Sequence, residues 1–520
     1  MKPIIRLCFV IGLALLLPAA MLAQATGDYR TITSGNWNSA PTWQRYSGTL
    51  WAAASTPPTG SELITIQSAD SVTVNVAVSI SGTLRNQGRI GVTGTLTIAN
   101  NGTYQHDRDA GAIPLATWAT GSTLLMTGTT GVAPSDRNQN FHHVTFNTPN
   151  LGSNRDMGWS GNTIGGNIRV INTGAVRWQM TTAPAGDSSI VTLNGDVIVE
   201  GGSFSTNGTS NSNTKFVFHH YGNIVVTGGN FSISRGSQGG SGTTTWYLYA
   251  GNFSMTNAET QNSNAAGAKF VFAKPASQTL TLSTVTFGGG GLPLEVSNGT
   301  TLDMGPSKVR GSGMFRLNAG ATLATATEGG LDSAVVVTGT VTLDSAASYT
   351  FSGTAAQITG LTMPATIKNL TIDNSAGVTL SRATKINGVL RLKKGVFDNT
   401  IKFTLGSTGS VVYEGGSLKF PLTSVEVVEA GVPESFFVNQ NYPNPFNPST
   451  TIRFGLPEAS IVSAKVFNLM GQQVATAFEG QKDAGVYELR FDASNLSSGV
   501  YLFRIEAGRS VDVRRMILMK

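Results

Sequence analysis

Five histidines, His106, His142, His143, His219 and His220, are the side chains with the widest chemical reach in this chain of 520 residues. Two of the three clusters are His-His pairs, each directly after a phenylalanine, in FHHVTF and VFHHY. On a strand, adjacent side chains point to opposite faces, so each pair offers one imidazole per face. Stacked strands that brought His142 or His143 beside a counterpart could hold zinc, but neither pair has a carboxylate or thiol close by in sequence. The third cluster is QHDRDAG, with His106, Asp107, Arg108 and Asp109. Alternation lets His106 converge only with Arg108, and Asp107 only with Asp109, so a solvated loop is the plainer reading. Hydrolysis by paired carboxylates needs acids grouped on neighbouring strands. Residues 26–425 carry only 19 acids, mostly isolated. No HExxH, GxSxG, P-loop or GxGxxG with a following acid occurs, and the only cysteine is Cys8. Nothing in the sequence calls for a metal or cofactor. Three short Asp-Ser-small motifs, at Asp70, Asp332 and Asp344, have the form of a bacterial O-glycosylation signal.

The elements that must carry these residues are short strands. Charged residues make up 12% of the chain while glycine numbers 62 and the hydrophobic share is 40%, a balance that suits many strands joined by tight turns and does not suit disorder. A chain this long exceeds one conventional core. The segments GDVIVEGGSFSTNG from Gly195, GNIVVTGGNFSISRG from Gly222 and AGNFSMTN around Gly251 echo one another. Each is followed by an apolar strand, KFVFHHY, TTWYLYAG or KFVFAK. Looser echoes, SGTLRNQGRIGVTGTLTIANNGTY, VTGTVTLDSAASYTFSG and INGVLRLKKGVF, run through the whole middle. Self-similarity at this period predicts a solenoid, in which each coil buries its face on its neighbours. The expected fold class is all-β: a right-handed parallel β-helix or β-solenoid over 26–425, with stacked β-sandwiches as the alternative. Roughly 15–18 coils at about one strand spacing each would make a rod.

The N-terminus has Lys2 and Arg6, an apolar run from Leu7 to Leu17, and Ala23-Gln24-Ala25, the form of a secretory signal peptide cleaved after Ala25. No other stretch is apolar for long enough to span a bilayer. Residues 26–425 have a surplus of five positive charges, with no Lys/Arg run longer than two, which excludes a nucleic-acid surface. SGNWNSAPTW (34–43) followed by TPPTGSELITIQSADSVTVN (56–75) resembles the opening of G8-type cell-surface β-helix modules. In 26–106, Trp37, Trp43 and Trp51 are expected to cap the first coil, with sugar stacking as the other reading.

Beyond a linker at 426–433 the grammar changes. VYELRFD alternates Tyr487, Leu489 and Phe491 against Glu488 and Arg490; VYLFRIEA turns Tyr501, Phe503 and Ile505 one way; and KVFNLMGQQVA reads as two strands about a turn at 469–472. These strands predict a small immunoglobulin-like antiparallel sandwich over 434–520. Its entry, NYPNPFNPSTTIRF, packs Pro443, Pro445 and Pro448 around Phe446. Proline fixes φ and donates no hydrogen bond, so this tract is a preset irregular entry that frees Phe446 to pack on the sandwich.

These motifs, in this order and ending at the chain end, resemble the type A C-terminal sorting domain of the type IX secretion system of Bacteroidetes-like bacteria. The residues that carry the resemblance are Tyr442, Pro443, Asn444, Pro445, Phe446, Pro448, Asn468, Gly471, Gly499, Val500, Tyr501, Arg514, Arg515 and Lys520. The usual ending is richer in lysine; here two arginines take the basic positions. The resemblance implies passage through the general secretory pathway and recognition by an outer-membrane translocon. It further implies removal of the domain by a sortase-like cysteine protease, with attachment to surface lipopolysaccharide or release. The middle is then a passenger. The sparse acids favour a non-catalytic structural or adhesive role, against a β-helix polysaccharide lyase or hydrolase, or a glycan-binding surface protein with Trp118, Trp159, Trp178 or Trp246 lined up on one face.

Overall fold

The computed structural model describes residues 24–182, 188–207, 213–235, 242–262, 267–420, 423–429, 432–494 and 496–520. The signal-peptide segment, including Ala23, lies outside the described residues. Strand is the rule: the helical elements among the described residues are one turn of α-helix, Leu331–Ala334, and one of 3-10 helix, Ala40–Thr42. The chain divides into two compact units, one ending at Trp178 and the other starting at Gln179.

The first unit is a parallel β-solenoid. Successive coils contribute one strand to each of three sheets: Leu63–Ile66, then Ser71–Val74, then Ala77–Ile80, and again Thr83–Asn86, Arg89–Val92 and Thr95–Ile98. The register stacks like on like. Ile64 pairs with Leu84, Leu84 with Tyr104, Tyr104 with Leu124 and Leu124 with Val144, and all are buried. Each rung adds roughly 1.5–3 kcal/mol of apolar burial. The N-terminal end departs from this pattern. Tyr29–Thr31, Trp43–Tyr46 and Trp51–Ala53 form an antiparallel meander beside Leu63–Ile66. Trp37 and Trp43 are buried under it with rings 5.2 Å apart, and the Trp43 indole donates to the Trp37 carbonyl at 2.9 Å. Trp51 is only half-buried, with the Arg30 guanidinium 4.5 Å above its ring.

The second unit holds further parallel coils and a C-terminal sandwich. The sequence echoes from Gly195 to Gly251 are the coil register itself. Asn223 hydrogen-bonds to Asp196, 27 positions earlier, and Asn252 to Asn223, 29 positions earlier. Gly222 sits so close to the Gly195 carbonyl, and Gly251 to that of Gly222, that a Cβ would clash with backbone at 2.2 and 2.1 Å. One buried aromatic ladder runs through these coils: Phe218, Trp246 and Phe270 are register partners in turn. Ser205 and Ser232, next along the strand from buried Phe204 and Phe231, are buried as well; Ser232 donates to Asn230 Oδ1 and accepts from the Gln261 backbone N–H. The two units together carry about 14 solenoid turns, slightly fewer than the sequence suggests.

The sandwich has two four-stranded antiparallel sheets over a core that includes Ile452, Phe454, Leu489, Phe491, Phe503 and Ile505. It begins upstream of where the sequence reads it. Thr423–Glu429, read as the end of the passenger and the start of a linker, is a strand paired along Gly485–Asp492. Nothing in its local pattern announced this, because the partner lies some sixty residues away in sequence and only tertiary pairing makes it a sandwich strand.

Candidate functional site

The proline tract is stitched to the last strand of the chain. Phe446 is buried; its N–H donates to the Ile517 carbonyl at 2.9 Å, and the Met519 N–H donates to the Phe446 carbonyl at 3.0 Å. Asn444 makes the same connection through its side chain, accepting from the Ile517 N–H at 2.8 Å and donating to the Arg515 carbonyl at 3.1 Å. Buried Asn441 donates to the Pro443 carbonyl and to Thr450 Oγ1, and Thr450 donates in turn to the Pro443 carbonyl. The prolines supply no donors, so asparagine side chains close the hydrogen-bond accounts of this irregular backbone. The Pro448 carbonyl accepts from Ala493.

The remaining motif residues divide into framework and surface. Asn468 Oδ1 caps the hairpin turn, accepting from Met470 and Gln472 at 3.0 Å each, while Gly471 adopts φ +77, a left-handed conformation that favours glycine. Gly499 and Val500 start the strand Gly499–Ala507, paired to Leu518 and Ile517. Tyr501 is buried and its hydroxyl donates to the Ser497 carbonyl at 2.7 Å; Tyr487 does the same to Asp483 at 2.8 Å. Arg514 donates to the Val438 carbonyl and pairs with Asp512 at 2.7 Å. Exposed motif positions are Tyr442, 82% accessible, with Pro443, Pro445, Gly471, Gly499, Arg515 and Lys520; the turn residues Leu469 and Met470 are exposed as well.

In the solenoid the histidine clusters are dispersed. His106 is buried, not in a solvated loop: Nε2 meets the Ala110 carbonyl at 2.9 Å and Nδ1 the Tyr104 hydroxyl at 3.3 Å. Burial pushes its pKa down to about 4. Asp107 is held by Arg85, Gln87 and Thr127, and the Arg108 guanidinium donates to the Gly88 carbonyl. Asp109 accepts the N–H groups of Thr130, Gly131 and Val132 at 2.8–2.9 Å. Partial burial works to raise its carboxyl, yet those donors hold it below the usual value. His142 and His143 touch, with ring centroids 4.3 Å apart, and His143 Nδ1 accepts from the Asn167 N–H. His220 is buried against the Gly195 carbonyl with its pKa pushed to about 4 by burial. The register partners of His219 are Thr192 and Tyr247, and that of His143 is Thr123, so no histidine ladder forms at either position. Among the described residues no three His, Cys, Asp or Glu converge as a metal-holding group, and no helix is long and apolar enough to cross a membrane.

The tryptophans do not line up outside. Trp159, Trp178 and Trp246 are buried, and Trp118 is half-buried, edge-on to Phe141 and donating to Gln139. Four other rings take the outer face: His219, Tyr221, Tyr247 and Tyr249, near-parallel with centroids 5.3–6.0 Å apart. Strand alternation in KFVFHHY and TTWYLYAG carried that signal. With Phe218, His220, Trp246 and Leu248 inward, His219, Tyr221, Tyr247 and Tyr249 must face out.

Three comparisons bear on this geometry. No curated protein matches the chain. Among solved structures, the enzymatically active domain of tailspike protein 4 from bacteriophage CBA120 is similar at 10% identity and a TM-score of 0.12. That alignment covers 87% of this chain and 64% of the tailspike domain. Residues 440–519 match the family described as the secretion system C-terminal sorting domain. The solenoid chain therefore ends in a type IX sorting domain, which directs its export to the cell surface or outside of Bacteroidetes-type cells.

Proposed function

We propose that the passenger is a non-catalytic solenoid with a structural or adhesive role at the surface of the exporting cell. The observation that carries this reading is the fate of its carboxylates. Asp107 and Asp109 close one loop, Asp332 accepts the N–H groups of Leu361 and Thr362, and Glu62 accepts that of Gly60. Glu295, Asp373 and Asp398 pair with lysines. Among the described residues, these acids are committed to turns and to lysine pairs rather than to one another, as acid/base work by paired carboxylates would need. In the tail, the exposed aromatic and cationic side chains of Tyr442, Arg515 and Lys520 are what the translocon reads, while Pro443, Asn444, Pro445, Phe446, Pro448, Asn468, Gly471, Gly499, Val500, Tyr501 and Arg514 shape the backbone that holds them in place. A sortase-like cysteine protease then removes the domain, and the passenger is joined to surface lipopolysaccharide or released. The test is deletion of residues 434–520, with fractionation and antibody labelling of intact cells. Passenger retained in the periplasm is expected; normal surface labelling of the truncated chain would overturn the export role. A polysaccharide panel incubated with the purified chain should yield no new reducing ends or unsaturated products.

A further inference from the structure

The strands Lys215–His220 and Thr243–Leu248 each carry two aromatic systems. Inside, Phe218 stacks on Trp246 at 5.5 Å and Trp246 on Phe270 at 5.8 Å, so the coil already has its apolar ladder. Outside, His219 lies 6.0 Å from Tyr247 and 5.6 Å from Tyr249, and Tyr249 lies 5.3 Å from Tyr221. The planes of these four rings agree within 12–24°. They are half-buried or, for Tyr221, 49% exposed. A hydrogen bond of 3.2 Å between His219 Nδ1 and the Tyr249 hydroxyl fixes the central pair.

The same sheet face continues into a polar cavity. Thr245, two positions before Tyr247, faces outward beside its register partner Lys269, whose Nζ pairs with Glu295 at 2.8 Å. Thr243, Thr245, Lys269, Glu295, Met314 and Arg316 line a cavity of about 420 Å³, within the size range of small-ligand pockets. Asn318 also donates to Glu295, which leaves this carboxylate a fixed acceptor beside two cations.

We propose that the four rings and this cavity form one binding site for a glycan built of neutral pyranose units. The free faces at the ends of this ring stack suit the apolar C–H face of a pyranose, while the three tyrosine hydroxyls, the threonine hydroxyls, Lys269 and Glu295 suit its equatorial hydroxyls. Glu295 offsets one of the two cations, Lys269 and Arg316, so the cavity carries a single surplus positive charge, a poor match to a polyanion. A purely structural role for the outer rings would repeat what Phe218 and Trp246 already do inside, and would not explain why tyrosine and histidine were left half in solvent beside a polar cavity. This inference rests on the reading of the passenger as a surface-presented, non-catalytic solenoid, and names its ligand class.

The test is isothermal titration of the full chain with cellohexaose, laminarihexaose, xylohexaose and chitohexaose, with polygalacturonate as the acidic arm. At least one neutral hexasaccharide should bind. Tyr247→Ala and Tyr221→Ala should each weaken it roughly tenfold, about 1.4 kcal/mol. Tyr221 is half in solvent, so Tyr221→Ala should keep the wild-type melting temperature and carries the test if Tyr247→Ala does not fold. No binding to any neutral arm, binding to polygalacturonate alone, or wild-type affinity in Tyr221→Ala would overturn the site. Cleavage of a bound hexasaccharide would instead overturn the non-catalytic reading and leave the site standing.

Discussion

His106 and His220 make the interior of each unit sensitive to acid. Both imidazoles are buried and neutral, and burial holds each at about 4 against a usual value of 6.5. His106 faces the Tyr104 hydroxyl and the Ala110 carbonyl, with Asp107, Arg108 and Asp109 nearby; His220 faces the Gly195 carbonyl and Trp246, with Asp196 nearby. A depressed histidine favours the neutral fold. Its contribution is complete above the unfolded value, declines as pH falls below about 6.5, and is gone below about 4. Each residue is expected to cost on the order of 3 kcal/mol across that window. Thermal unfolding at pH 7 and pH 4.5 should show a marked loss, and His220→Gln, which keeps a donor for Gly195, should shrink it for the second unit. The depressed carboxyls of Asp109 and Asp332 lose their contribution at lower pH, so the two effects separate. An acid response unchanged in His220→Gln would contradict this assignment.

At the scale of elements, the proline tract shows how asparagine side chains replace a ladder. Asn444→Ala would strand the Ile517 N–H at the last strand, while the Arg515 carbonyl keeps its bond from the Gln440 amide. An unsatisfied buried group costs about 1–3 kcal/mol, and chemical denaturation followed by limited proteolysis should find the C-terminal sandwich weakened by that amount. Tyr442→Ala removes an exposed ring and should change stability by less than about 0.5 kcal/mol, yet lower surface display if the translocon reads it. Equal losses of stability in the two variants would remove the division between framework and recognition. Much of this was legible in the sequence. Alternation in VYELRFD and VYLFRIEA put Tyr487, Leu489, Phe491, Phe503 and Ile505 in the core, where they lie. The echoes around Gly195 and Gly222 gave the coil offset. What stayed illegible depends on pairing across distance. The Trp246 side chain reads as a sugar platform in isolation but is interior, and the outer platform appears only when Tyr247 and Tyr249 are placed on the coil next to His219 and Tyr221. Likewise His106 reads as solvated until the coils stack over it.

At the scale of the whole molecule, the passenger and its sorting domain share a boundary that is a hydrogen-bonded strand. Thr423–Glu429 pairs antiparallel with Gly485–Asp492, the same strand that pairs on its other edge with Ser449–Leu456. The Tyr413 hydroxyl, on the last full coil, donates to Asp492 at 3.0 Å, so the coil itself contacts that central strand. A cut that leaves residues 423–429 on the passenger therefore strips a strand of its partner and exposes a row of unpaired N–H and C=O groups, the usual seed of edge-to-edge association. A cut upstream removes the strand together with its sheet. Two truncations distinguish these cases: a passenger ending at Phe420 should stay monomeric. One ending at Pro433 should self-associate or lose its last dozen residues to protease, with solution light scattering and mass spectrometry as the readouts. Identical behaviour of the two would mean that the strand has no dependence on the sandwich, and that the boundary lies at the proline tract instead.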